Sequence, residues 1–194
     1  MSDSIKVSDV AAASLSAMLG GGESFRVFGT YYVQCHDKDG NLLWEDVAPN
    51  LVTDVGAKLL LDTILAGSAF TATTYMGLKG TGAAAVGDTQ ASHAGWLEVG
   101  AANAPTYTSP RKTISWSSAS GTGAGSRTKP STGTYTFAIT SGSGVTVDGC
   151  FLNINGASAI DNTTGTLFSA GTFSGGAKTV SNGDSLTVTY ALNC

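Results

Sequence analysis

The chain has 194 residues, which is long enough for one domain with a sizeable buried core. Only 12% of the residues are charged, 42% are apolar and the net charge is −4, so the composition excludes an intrinsically disordered chain. The ten basic residues are spread from Lys6 to Lys178, which disfavours a groove for nucleic acid.

The segments that would direct a chain to a membrane or out of the cell are not recognisable. No apolar run approaches the ~20 residues that span a bilayer, and the first residues lack the basic start and apolar stretch of a signal peptide. We therefore expect synthesis in the cytosol, no membrane partner, and reduced thiols at Cys35, Cys150 and Cys194 rather than a disulfide framework.

Residues 1–24 are predicted to form an N-terminal arm. The Ala-rich stretch at residues 10–19 is compatible with a helix, and the three glycines at residues 20–22 end it and act as a flexible joint. The apolar side chains of this stretch are candidate protein-contact residues: Val10, Leu15, Met18 and Leu19.

The globular part, residues 25–194, begins with a predicted β-hairpin. Alternating residues from Phe25 to Cys35 favour one buried face. The sequence Asp37-Lys38-Asp39-Gly40-Asn41 predicts a turn because Asp-Gly and Asn tolerate positive φ, and a second strand follows at residues 42–47.

One short helix is predicted at about residues 53–66. Thr53 or Asp54 provides the N-terminal cap and Gly67 the stop. Its apolar residues are spaced to pack on a sheet: Val55, Leu59, Leu60 and Ile64.

Beyond Tyr75 the pattern is entirely β. Short strands are predicted at about residues 74–79, 95–99, 106–116, 133–140, 145–154, 165–169 and 184–192. The predicted fold class is therefore mainly β, a β-sandwich or jelly-roll-like domain with one short helix and an N-terminal arm. Residues 117–134 are predicted to be a long exposed loop, in which Arg127 and Lys129 are candidate contact residues.

Motifs for catalysis or cofactor binding are missing from the sequence. There is no Gly-x-Ser-x-Gly, Gly-x-Gly-x-x-Gly or Gly-Lys-Ser/Thr, and residues 175–179, the nearest approach to a phosphate loop, are interpreted as a hairpin turn. His36 and His93 have no zinc-ligand spacing, and residues 37–41 are interpreted as a solvated turn rather than a calcium loop. We predict no catalytic residue, no metal and no cofactor.

Asp88, Ser92 and His93 are close in sequence and allow two interpretations. One is a hydrolase triad, although triad members normally come from different elements. The other, which we favour, is that Asp88 and Ser92 cap turns while His93 fills a polar notch beside Trp96.

Several segments together carry a resemblance to a known group of proteins. They include Asn-Leu-Val-Thr-x-Val-Gly-x-x-x-Leu-Leu-Asp, Tyr-Met-Gly-Leu and Asp-Thr-x-Ala-Ser-His-Ala-Gly-Trp, and they lie at residues 50–62, 75–78, 88–96, 149–152, 165–169, 173–176 and 183–190. In this order they resemble virion structural proteins of tailed bacteriophages that are encoded near capsid genes. Residues 1–24 and 117–131 lie outside the resemblance.

The resemblance implies a capsid decoration, or cement, protein. Such a protein sits on the outer surface of the virion capsid, binds the major capsid protein, associates with itself, most plausibly as a homotrimer, and needs no active site. We expect the arm to reach a neighbouring subunit or the major capsid protein.

Two other classes remain as alternatives. A tail or fibre protein would bind host glycans through exposed Trp96, Trp116 and Tyr107, although aromatic residues in strand patterns are more often core. A β-sandwich glycan hydrolase would need two carboxylates across a cleft.

Overall fold

The computed structural model describes residues 26–65, 71–108, 110–123, 125–141 and 143–194. The predicted arm, with Val10, Leu15, Met18 and Leu19, lies outside the described residues, as does the predicted helix stop at Gly67.

Within this part of the chain the elements are twelve β-strands and one α-helix. The helix, α1, is Asp54–Leu65. The strands are β1 Phe28–His36, β2 Leu42–Val52, β3 Thr74–Lys79, β4 Glu98–Val99, β5 Lys112–Ile114, β6 Thr128–Pro130, β7 Tyr135–Ala138, β8 Ser143–Val147, β9 Gly149–Ile154, β10 Thr166–Thr172, β11 Lys178–Ser181 and β12 Ser185–Asn193.

The strands form a mainly antiparallel β-sandwich, as the sequence predicts. Ten of them belong to one hydrogen-bonded sheet in the order β4-β3-β9-β10-β2-β1-β12-β6, with β5 on β3 and β7 on β12. Residues 42–49 of β2 pair with β1, whereas residues 50–52 pair with β10, so this long strand is shared by two groups of strands. Apolar side chains from both groups meet in one core. Strands β8 and β11 form a separate two-stranded sheet.

The first hairpin confirms the predicted alternation and turn. Tyr31, Val33 and Cys35 are fully buried. The carboxylate of Asp37 accepts hydrogen bonds from the backbone N–H groups of Asp39 and Asn41, at 2.9 and 2.8 Å. Gly40 has φ of 85°, the left-handed conformation that the Asp-Gly sequence predicts.

Helix α1 is capped by Thr53, one of the two predicted caps. The Thr53 hydroxyl accepts the Gly56 N–H at 3.1 Å and donates to the carbonyl of Leu167, which ties the start of the helix to β10.

Strands β9 and β10 are buried on both faces. Cys150 and Leu152 point into the main core, whereas Phe151 points to the opposite face and packs with Trp96 and Leu167 in a second cluster. Residues 81–97 thus cover the second face, because Ala84 and Trp96 belong to that cluster.

Three predicted strand or loop boundaries are wrong. Residues 145–154 are not one strand, because Asp148 interrupts them and β8 and β9 lie in different sheets. Residues 106–116 are not one strand, because their described part contains the short β5 and two isolated bridges, Tyr107 with Ile139 and Trp116 with Ser131. Residues 117–134 are not one long loop, because β6 within them pairs with β12. Strand β11 was not predicted.

Candidate functional site

Asp88, Ser92 and His93 do not assemble into a triad. The Asp88 carboxylate accepts hydrogen bonds from the Trp96 indole N–H and the Ala85 backbone N–H, both at 2.9 Å. The His93 ring stacks on Trp96, with 4.0 Å between ring centroids. The prediction that His93 lies beside Trp96 is confirmed, whereas the turn at Ser92 is capped by the Thr89 hydroxyl.

A buried ion pair joins Arg111 and Glu98. The guanidinium Nε and Nη2 donate to the two carboxylate oxygens, at 2.8 and 2.5 Å, and both side chains are almost fully buried. The guanidinium also donates to the carbonyls of Ala157 and Asn162, and Glu98 accepts the Asp161 N–H. Burial raises the pKa of Glu98, and the Arg111 partner offsets part of the rise. Nearly all donors and acceptors of this pair are therefore hydrogen-bonded within the fold.

A second buried pair joins Lys79 and Asp148. The Lys79 ammonium lies 3.3 Å from the carboxylate and donates to the Gly80 carbonyl at 3.0 Å. Burial lowers the pKa of Lys79, and Asp148 opposes this effect. The N–H of Asp148 also donates to the Lys79 carbonyl. Asp148, which separates β8 from β9, is therefore bonded to the last residue of β3 through both its side chain and its backbone.

These pairs make the surface less charged than the composition indicates. Lys79, Arg111 and their carboxylate partners are buried, and Lys178 binds a largely buried Asp46 at 2.8 Å. These three pairs account for six of the 24 charged residues (10 basic and 14 acidic), and the carboxylates of Asp88 and Asp184 are also buried.

Two of the three aromatic residues considered for sugar binding belong to the core, as favoured from the sequence, because Trp96 and Tyr107 are 2% and 3% exposed. Trp116 is only partly buried and packs against the core. It lies edge-on to Tyr190, and its indole N–H donates to the Thr74 hydroxyl at 3.2 Å. Trp96 and Tyr107 therefore present no free face on which a sugar could stack.

The three cysteines lie in the described residues as free thiols, with Cys35 and Cys150 buried and Cys194 partly exposed. Burial raises the pKa of Cys35 to about 12 and that of Cys150 further, so neither thiol ionises readily.

The outer face of β1, β2 and β12 is the first candidate interaction surface. Val47, Tyr32 and Thr189 lie opposite one another across the three strands, and Glu45, Gln34 and Thr187 form the adjacent row. We call these six residues the sheet face. Tyr32 and Val47 are 51% and 39% exposed, and Glu45, the one charge of the set, accepts a hydrogen bond from Gln34 at 3.2 Å. They line a concavity of about 580 Å³.

The second candidate surface is an apolar groove between α1 and the β6–β12 pair. Two adjoining cavities of about 260 and 160 Å³ share Leu60, Lys129 and Leu192. We call this surface the helix groove, and its further apolar lining includes Val27, Leu59, Ile64, Trp116 and Ile154. The predicted contact residues Arg127 and Lys129 both line it. Tyr32 was not selected from the sequence, although its alternation with the buried Tyr31 and Val33 could have indicated an exposed side chain. The groove depends on how α1 approaches β12, which no local pattern indicates.

Within the described ranges of the chain, no three His, Cys, Asp or Glu side chains lie close enough together to hold a metal ion. No helix in the same ranges has the length and apolarity needed to cross a membrane.

Comparisons of the chain with protein-family models, with curated proteins and with solved structures gave no match. Residues 75–78 and 88–96 meet in the fold at Phe151, because Gly77 and Trp96 pack against its ring. The N–H of Asp54 donates to the Val86 carbonyl at 2.8 Å. These contacts join the start of the helix and the 81–97 segment to the sheet.

Proposed function

We propose that this protein is a non-enzymatic capsid decoration protein of a tailed bacteriophage. It binds the outer surface of the major capsid protein shell and stabilises the head against the pressure of packed DNA. The resemblance of residues 50–62, 75–78 and 88–96 to phage virion proteins supports this role. The observation that carries it is the sheet face, which is exposed and partly apolar and whose one charge, Glu45, is hydrogen-bonded to Gln34.

A surface of this kind suits attachment to another protein. Docking removes water from the side chains in the contact. Burying a neutral polar group without a hydrogen-bond partner costs about 2–7 kcal/mol, and burying an unpaired charge costs more. Val47 has no polar side-chain group to desolvate and Tyr32 has only its hydroxyl, and Tyr is enriched in protein interfaces. The threonine and glutamine side chains around them supply hydrogen bonds at the edge of the contact.

Assembly on a symmetric shell multiplies modest contacts. We propose that the domain forms a homotrimer and that the arm, through Val10, Leu15, Met18 and Leu19, adds a contact to a neighbouring subunit or to the major capsid protein. Each added contact raises the free energy needed to separate capsomers.

The sheet face is tested by adding charge to it. The double variant Tyr32→Asp with Val47→Asp should lose binding to undecorated shells, because two carboxylates would be desolvated on docking. Co-sedimentation of purified protein with shells measures the bound fraction. The matched control is Val86→Asp with Leu97→Asp, which changes two other exposed apolar residues, 54% and 59% exposed. Binding of the sheet-face variant equal to that of the control would refute this use of the sheet face.

The tail or fibre alternative required exposed Trp96, Trp116 and Tyr107. Trp96 and Tyr107 are buried in the core, and Trp116 packs against it. We therefore do not propose glycan binding as a second function.

A further inference from the structure

The helix groove lies where the predicted arm joins the domain. Val27, the residue before β1, lines the groove together with Leu60 and Leu192. The seven residues 20–26 connect Val27 to residues 10–19, and they span at most ~25 Å when extended. Because three of the seven are Gly20, Gly21 and Gly22, this connection permits the chain to reverse direction.

The chemistry of residues 10–19 matches that of the groove. On a helix, Leu15, Met18 and Leu19 share one side, since residues three and four apart are neighbours there. The groove surface is almost entirely carbon, and the stem of Lys129 forms part of it while its ammonium donates to the Ser117 carbonyl at 3.0 Å. Arg127 and Lys129 line the groove, and the segment before Val10 carries two carboxylates, Asp3 and Asp9, against one cation, Lys6.

We propose that residues 10–19 dock in the helix groove of their own chain as an amphipathic helix. The short connection raises the local concentration of the segment to the millimolar range, which favours its own groove over that of a second copy in dilute solution. On an assembled shell, where neighbouring copies are held close together, the same segment can exchange into a neighbour's groove. The docking in free protein does not depend on the proposed function.

Cys194 provides a probe of the groove. It lines the groove beside Val27 and is partly exposed, whereas Cys35 and Cys150 are buried. A water-soluble thiol reagent therefore reports on Cys194 in the folded protein. Cys194 reacts only while the segment is undocked, so the labelling rate falls in proportion to the fraction of molecules whose groove is open.

Three variants test the proposal in monomeric protein at low micromolar concentration. Deletion of residues 2–22 should accelerate labelling of Cys194 about tenfold, as expected when the docked state is favoured by about 10 to 1. Leu15→Asp with Met18→Asp should give a similar acceleration in the full-length chain. The matched control, Ala13→Asp with Ser16→Asp, puts the same charge on the opposite side of the helix and should label like the unaltered chain.

The outcomes separate this proposal from its alternatives. Equal labelling rates in all four proteins would overturn docking in the groove. A labelling rate of Cys194 that falls as protein concentration rises in the full-length chain, but not in the deletion variant, would show that a second copy supplies the segment and would overturn docking within one chain. If the protein does not bind shells but the Cys194 labelling rates are as predicted, only the proposed function is refuted.

Discussion

At the scale of the residue, the most informative groups are the buried charges. Arg111 and Glu98 have nearly all of their donors and acceptors paired, and the Arg111 guanidinium lies 5.4 Å from the Phe151 ring centroid. Removing one partner of such a pair leaves the other charge buried without compensation.

We predict that Arg111→Met lowers the free energy of unfolding by about 3–5 kcal/mol, because Glu98 would lose its charged partner inside the fold. Urea denaturation followed by tryptophan fluorescence measures the change. The control is Lys38→Met, which removes the cation of an exposed pair with Asp39 and should cost less than about 1 kcal/mol. Equal stability of the two variants would contradict the structural role given to Arg111.

The Asp46 carboxylate makes stability depend on acid. Burial opposes its ionisation, but hydrogen bonds from Lys178, Val47 and Gly175 and the Lys178 charge outweigh burial and hold its pKa below the ordinary value. A lowered folded pKa contributes stability that is present above the unfolded pKa and lost as pH falls through the folded pKa, which here means below about pH 4.

Asp46→Asn should therefore lower the Tm at pH 7 and flatten the fall in Tm between about pH 4 and pH 2, since the ionisable group is gone. Thermal unfolding monitored by circular dichroism at several pH values checks this. Asp39→Asn, at an exposed carboxylate, serves as the control and should leave the acid slope in place. An unchanged slope in Asp46→Asn would assign the acid sensitivity to other groups.

Some residue roles follow from the sequence and others do not. The turn at Asp37 and the position of His93 beside Trp96 were predictable because they depend on neighbours within a few residues. The pairing of Lys79 with Asp148 joins residues 69 positions apart, and no local pattern indicates it.

At the scale of the element, helix α1 is held unusually close to strand β10. A Cβ atom at Gly56 would overlap the carbonyl oxygen of Phe168, and the Thr53 N–H donates to that same carbonyl at 3.1 Å. Gly56 is therefore present for close approach to the sheet and not for a turn.

We predict that Gly56→Ala destabilises the protein by about 1–3 kcal/mol, the range for overpacking a tight contact. In an ordinary helix the same change would stabilise by up to about 1 kcal/mol. Gly133→Ala is the control, because no atom lies within 4 Å of a Cβ at that position. Urea denaturation measures both changes. Stabilisation of the Gly56 variant would show that α1 is not packed in this way.

Strand prediction succeeded where the pattern was local. The predicted range 74–79 matches β3, and the predicted range 184–192 matches β12 within one residue at each end. Strand β6 was missed because its three residues, Thr128–Pro130, are defined by pairing with β12 at the other end of the chain. The division of 145–154 likewise depends on the buried partner of Asp148.

At the scale of the whole molecule, several of the few charged side chains are buried in ion pairs, and the exposed sheet face combines two large side chains, Tyr32 and Val47, with polar residues. The sequence indicated the low charge, and it selected Arg127 and Lys129 as contact residues. It could not indicate the helix groove, because that surface exists only where α1, β6 and β12 meet.

The central claim is that this protein attaches in many copies to the outside of a phage head. Quantitative mass spectrometry of purified particles of the phage that encodes the chain, scaled to the major capsid protein, measures the copy number directly. The account predicts on the order of hundreds of copies per particle, one set for each symmetry-related group of capsomers. A handful of copies, or none, would contradict it.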